Sequence, residues 1–118
     1  MYIYSFEKLN VWQNSRKLSF EIYQITKTFP EEERFGLISQ MRRAAVSISS
    51  NIAEGCSRIS KKEQKHFYTI SYSSAIELLN QIILSLDLMV INNEQYVEIR
   101  SSIEQITNQL NALNKTIS

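Results

Sequence analysis

The chain has almost none of the residues that make turns, with 2 glycines and 1 proline among 118 positions. Tight hairpins and phosphate-cradling loops both depend on glycine, so an all-helical chain is the natural expectation. Cysteine is equally scarce. A lone Cys56 cannot close an intramolecular disulfide, and the opening residues show no basic region followed by an apolar run and a cleavage site. Together these set the expectation of a reducing cytoplasm. Long apolar stretches are missing as well: the longest run, Ile82 to Ile91, is interrupted by Ser85 and Asp87 and is far shorter than the ~20 residues that span a bilayer. No membrane association is expected.

Net charge is also lacking, because 13 Lys+Arg stand against 12 Asp+Glu, for a formal charge of +1. Bulk electrostatics therefore does not mark a nucleic-acid binder, and any such role must rest on local clustering. Histidine occurs once, at His66. Glu63-Gln64-Lys65-His66 has the form in which di-iron bundles present ligands, but a complete site needs two such elements and two further carboxylates. Arg58 and His66 are residue types that helical ribonucleases pair, yet they are spaced more widely here and no second acid-base group is near. The chain is thus read as non-enzymatic, with no catalytic residue, metal or cofactor.

What is present is helical periodicity. A length of 118 residues suits one domain with a real core. Ser5 can cap a first helix from about Phe6 to Thr28, with Val11, Leu18, Ile22, Ile25 and Phe29 as its stripe and Trp12 and Tyr23 beside it as packing residues. Phe29-Pro30 ends it. Glu31, Glu32 and Glu33 face the positive end of a second helix that closes at Gly55, a residue suited to the left-handed conformation.

Ser60 and Glu63 form a capping box for a third helix, whose Phe67, Ile70, Ser74, Leu78, Ile82, Leu86 and Met89 face one way. Ser73, Glu77, Asn80 and Asp87 make a polar strip on its other side. Asn92 and Asn93 break that helix, and Asn92 with Gln95 can cap a fourth, in which Tyr96, Ile99, Ile103, Ile106, Leu110, Leu113 and Ile117 alternate spacings of three and four. Short connections make consecutive helices antiparallel. The fold class is all-α, an up-down-up-down four-helix bundle.

The second helix organises the rest. Ile38, Met41, Ala45, Ile48 and Ile52 form a stripe that docks into a core. The opposite side, with Arg42, Val46, Ser49, Ser50 and Ala53, is too small-sided and weakly charged for a face meant only for water, and marks Arg42, Val46, Ser49 and Ala53 as the contact of a homo-oligomer. Arg43, Ser47 and Glu54 share a further face, from which Arg43 can reach Glu77 or a neighbouring subunit. Arg58, Lys61, Lys62 and Lys65 form a basic cluster opposed only by Glu63. Such a run is commonly a solvated helix start. Antiparallel topology nevertheless places it at the same end as Lys8 and Lys115, with Glu31, Glu32, Glu33 and Glu94 at the other, which makes it the candidate nucleic-acid surface.

Leu9-Asn10-Val11-Trp12-Gln13, Phe29-Pro30 with Glu33 and Phe35-Gly36-Leu37, and above all Gln40 to Ile48 followed by Ser50-Asn51-Ile52-Ala53-Glu54-Gly55 carry a resemblance to a known family. Over nearly its whole length the chain resembles the 23S ribosomal RNA intervening-sequence proteins, with Arg58, Ser60 and Glu63 also fitting. Ser71-Tyr72-Ser73-Ser74 departs from the pattern, standing where an alanine and a glycine are usual. The resemblance implies a four-helix bundle and no established activity. The chain is similar also to the accessory variability determinant of diversity-generating retroelements, a five-fold barrel that associates with a reverse transcriptase and nucleic acid. That likeness implies a pentamer, with RNA or DNA and a reverse transcriptase as partners. A protein-interaction module indifferent to nucleic acid is the alternative.

Overall fold

The computed structural model describes residues 1–117. In order they form a short 3-10 turn (Ser5–Lys8), α1 (Asn10–Thr26), a second 3-10 turn (Glu31–Glu33) opening into a π turn (Arg34–Ile38), α2 (Ser39–Ser57), α3 (Lys61–Asp87) and α4 (Asn93–Lys115). The long helices run up, down, up and down as an antiparallel four-helix bundle. Its core is the union of the apolar stripes: Leu18 and Ile22 of α1, Met41, Ile48 and Ile52 of α2, Leu78 and Ile82 of α3, and Ile103, Ile106 and Leu110 of α4 are all fully buried.

The closest seam joins α2 to α3. Small residues make it close, with Ala44, Ala45 and Gly55 on one helix and Ser71, Ser74 and Ala75 on the other, all buried. The serines do not leave polar groups stranded: the Ser71 hydroxyl donates to the Ile48 carbonyl at 2.8 Å, and the Ser74 and Ser47 hydroxyls lie 2.8 Å apart. Arg43 reaches across to Glu77, as its place on the second helix foreshadows. Serine at positions 71 and 74 thus serves the close approach that smaller residues would otherwise provide.

The α1–α4 seam is looser. Glu21 of α1 sits there half-buried opposite Glu98, with the Ser102 hydroxyl at 3.5 Å as its donor. Burial first and Glu98 second raise its pKa, against a smaller lowering by Ser102. Because a raised acid binds its proton more tightly in the folded chain, Glu21 erodes stability as pH climbs from the ordinary carboxylate range through the raised value.

Several boundaries differ from the sequence expectation, each for a local reason. The first helix does not run unbroken from Phe6 under a Ser5 cap, because Leu9 is extended (φ −75°, ψ 126°). The break lets Phe6 fold back edge-on against Trp12 at 5.0 Å, while the Tyr4 amide donates to the Glu7 carboxylate at 2.8 Å. The acidic run does not open α2 but occupies the 3-10 turn, and the wider π turn after it places Leu37 and Ile38 against the core while Phe35 stays exposed.

Gly55 does not terminate α2 in a left-handed conformation. It lies inside the helix, buried, and an added Cβ there would stand 2.7 Å from Cε1 and 2.9 Å from Cδ1 of Tyr68. Glycine is present for close packing, not for a turn. Met89 is the residue in the left-handed region, at φ 61°. There α3 has already ended at Asp87, with Met89 N–H bonded to Leu86 and Val90 N–H to Ser85, the bond pattern of a Schellman stop. Met89 is therefore exposed and off the core stripe. The Asn92 and Gln95 side chains do cap α4 reciprocally, at 2.8 and 2.9 Å.

Candidate nucleic-acid interface

The turn between α2 and α3 is built from its backbone outward. After Ser57 the chain becomes extended at Arg58 (φ −78°, ψ 146°), whose N–H bonds back to the Gly55 carbonyl at 3.2 Å. The Gln64 side-chain amide donates to the Arg58 carbonyl at 2.8 Å, and the Ser60 hydroxyl accepts from the Glu63 amide at 3.0 Å. These bonds anchor the turn from both sides and start α3 at Lys61. Only half of the expected capping box forms, because the Glu63 carboxylate turns to Arg58 instead of reaching back.

That diversion separates the four basic residues into two kinds. The Arg58 guanidinium lies 3.6 Å from Glu54, 4.0 Å from Glu63 and 4.6 Å above the Phe67 ring, so it is engaged within the subunit. Lys61, Lys62 and Lys65 are exposed on the first turns of α3 and form no ion pair among the described residues. Glu63 pairs with Arg58 at 4.0 Å and, among the described residues, with none of these lysines. At the opposite end, Glu31, Glu32 and Glu94 are exposed and one of them, Glu31, is paired with Arg34 at 3.3 Å. The subunit is polarised along its length.

His66 is exposed and touches Phe67 edge-on at 5.5 Å, on the ring that also carries Arg58. No group of three or more His, Cys, Asp and Glu side chains is placed to hold a metal among the described residues. Cys56 and Tyr68 are neighbours beneath the turn. Burial raises the thiol, opposed by its hydrogen bond to Tyr68, and pushes the Tyr68 phenol up to about 12, with Cys56 adding to the rise. Both are thereby kept neutral near pH 7.

Sequence reasoning passed over two residues at this end. Asn111 and Asn114 of α4 join Lys65 and Lys115 around an open hollow of about 530 Å³. The Asn114 Oδ1 is buried with no protein donor, a deficit of about 1–3 kcal/mol for an unmade hydrogen bond. The signal was available in principle: positions 111 and 114 are one turn apart, and antiparallel pairing sets the end of α4 beside the start of α3. A larger hollow, about 810 Å³, lies on the outer face of α1 between Ile3, Trp12 and Phe20, but Glu7 and Glu21 there balance Arg16 and Lys17.

The four residues expected at a subunit contact all lie on α2. Val46 is exposed, and Ser49 and Ala53 are half-buried. Arg42 is drawn inward, its Nε donating to Thr26 Oγ1 at 2.9 Å and its guanidinium 4.6 Å above the Tyr23 ring.

Fold and site together define a small helical-bundle protein with one basic and one acidic end. Residues 7–112 match the model of the 23S rRNA-intervening sequence proteins, and the chain belongs to that family. It is similar in fold to a crystal structure of a protein of unknown function from the S23 ribosomal protein family of Bacteroides thetaiotaomicron, with 24% identity, a TM-score of 0.83, and 89% of this chain and 98% of that one covered. No curated protein matches the chain significantly. No helix among the described residues is long and apolar enough to cross a membrane.

Proposed function

We propose that this protein is a non-enzymatic, self-associating scaffold of the cytoplasm that binds RNA or DNA through its basic end. The observation that carries the reading is the exposed Lys61, Lys62 and Lys65 set, which forms no ion pair among the described residues. Assembly multiplies the effect. A cyclic oligomer relates its subunits by rotation alone, so bundles aligned with the axis gather their basic ends on one rim. A subunit of formal charge +1 then builds a positive ring that attracts phosphates. Five subunits, and a reverse transcriptase among the partners, belong to the proposal on the strength of the sequence's resemblance to the retroelement proteins.

Binding of this kind releases counterions, so log affinity falls with log salt at a slope of about −0.7 to −0.9 per phosphate neutralised, with little sequence preference. Lys61→Glu with Lys62→Glu is expected to weaken binding by about 100-fold or more at low salt, as loss of several such contacts does, without changing assembly. Fluorescence anisotropy with single- and double-stranded RNA and DNA checks it. Equal binding by the double variant sinks the proposal.

The subunit contact is assigned to Val46, Ser49 and Ala53, with Arg42 at its edge, because this face allows close helix approach and leaves little charge to desolvate. Val46→Arg or Ala53→Arg is expected to shift the sedimentation coefficient to that of the monomer while far-ultraviolet dichroism stays unchanged. Variants that assemble like the parent place the contact elsewhere. A second reading has its own support, since Phe35, Leu88 and Met89 are exposed at the acidic end and would suit a protein partner. That reading takes over if the parent binds no nucleic acid at low salt.

A further inference from the structure

We propose that the hollow between α3 and α4 at the basic end is a seat for one phosphate of a bound polynucleotide, formed by Lys65, Asn111, Asn114 and Lys115. The inference rests on the nucleic-acid reading above and gives it a defined contact that the surface lysines alone do not provide. The four described lining residues all carry N–H donors and none of the four is acidic: two ammonium groups and two carboxamides. Ammonium and carboxamide groups both donate to phosphate oxygens. The carbonyl end of α4, unfavourable to an anion, is offset by Lys115 in its own last turn. Glu63, the nearest acid in sequence to Lys65, faces Arg58.

The amides bear a second mark. No hydrogen bond holds the Asn114 carboxamide, whose Oδ1 lacks a donor, and none holds that of Asn111 among the described residues. Both can turn toward a ligand without breaking a protein bond. The hollow, about 530 Å³, falls in the size range of small-ligand sites, so it admits a sugar–phosphate unit and not merely a bare ion. A carboxamide next to a phosphate also supplies an acceptor for a sugar hydroxyl. Lys61 and Lys62, at the start of the same helix as Lys65, continue the positive track outward for the neighbouring phosphates.

Side-chain amide resonances of the full chain, followed by NMR during titration with inorganic phosphate and then with a short single-stranded RNA, read the site directly. The Asn111 and Asn114 signals are expected to move with both at low salt. Asn114→Leu is expected to weaken RNA binding by about tenfold, the scale of one hydrogen bond to a charged group, with the salt slope unchanged because a carboxamide carries no charge, while dichroism stays unchanged. If RNA binds and depends on Lys61 and Lys62 but the two amide signals stay still, the seat is refuted and the basic-end reading survives. If inorganic phosphate moves them but RNA does not bind, the polynucleotide assignment is refuted together with that reading. Lys115→Ala, at an exposed position, is expected to make the salt dependence shallower by about 0.7, the value of one phosphate contact on a single strand, and unaltered affinity in the first variant together with an unaltered slope in the second also overturns the seat.

Discussion

Replacing Ile106 or Leu110 with alanine is expected to lower the unfolding free energy by about 2–5 kcal/mol, the range for emptying a packed aliphatic site. Both side chains are fully buried midway along α4, so each deletion removes apolar surface from the core and leaves a cavity that neighbours on rigid helices fill poorly. The loss is large against a domain stability of about 5–15 kcal/mol. Val97→Ala supplies the contrast within one helix, because Val97 is 64% exposed and should change stability by no more than about 0.5 kcal/mol. Urea unfolding with an unchanged m-value is the measurement. Equal losses at positions 97 and 110 would mean that the stripe on α4 is not the core.

That stripe was legible from sequence because spacing alone decides which face of a regular helix meets its neighbours. The same holds for Met41, Ala45, Ile48 and Ile52 on α2, for the Arg43–Glu77 pairing, and for the Asn92–Gln95 cap. Where the outcome depended on tertiary contacts, local signals misled. Nothing in Leu9 announces a break; the contact that the break permits, the Phe6 ring folded back on Trp12, is visible only in the folded chain. Gly55 carried a familiar helix-stop signature, yet the left-handed position fell to Met89, a residue seldom placed there.

The site divides in the same manner. The Arg58, Lys61, Lys62 and Lys65 cluster could be counted along the chain, whereas the engagement of Arg58 by two carboxylates and Phe67 depends on how the turn folds. Asn111 and Asn114 gain meaning only from the hollow they share with Lys65, which lies on another helix.

Gly55 is where fold and site meet, and substituting it is expected to have the second large effect. Helix propensity alone would make Gly55→Ala stabilising by about 1 kcal/mol, since the residue lies inside a helix. Packing opposes this. The new Cβ would stand 2.7 and 2.9 Å from two Tyr68 ring atoms and 3.1 Å from the Phe67 Cβ. The ring cannot swing aside freely, because Tyr68 is only 3% exposed, and the Phe67 Cβ moves only with the backbone of α3. Overpacking of this kind costs about 1–3 kcal/mol, so Gly55→Ala should be a net loss.

Gly55→Val, with more bulk and a poorer helix former, should lose about 3 kcal/mol. Separation of α2 from α3 at this point would also disturb the Arg58 turn, whose N–H is bonded to the Gly55 carbonyl, and nucleic-acid binding should weaken with stability. A double-mutant cycle isolates the cause. In a Tyr68→Ala background the obstructing ring is gone, and Gly55→Ala should then stabilise, giving a coupling of about 1–3 kcal/mol between the two sites. If Gly55→Ala already stabilises the parent chain, the α2–α3 contact is not tight enough to require glycine, and the basic turn is held by its hydrogen bonds alone.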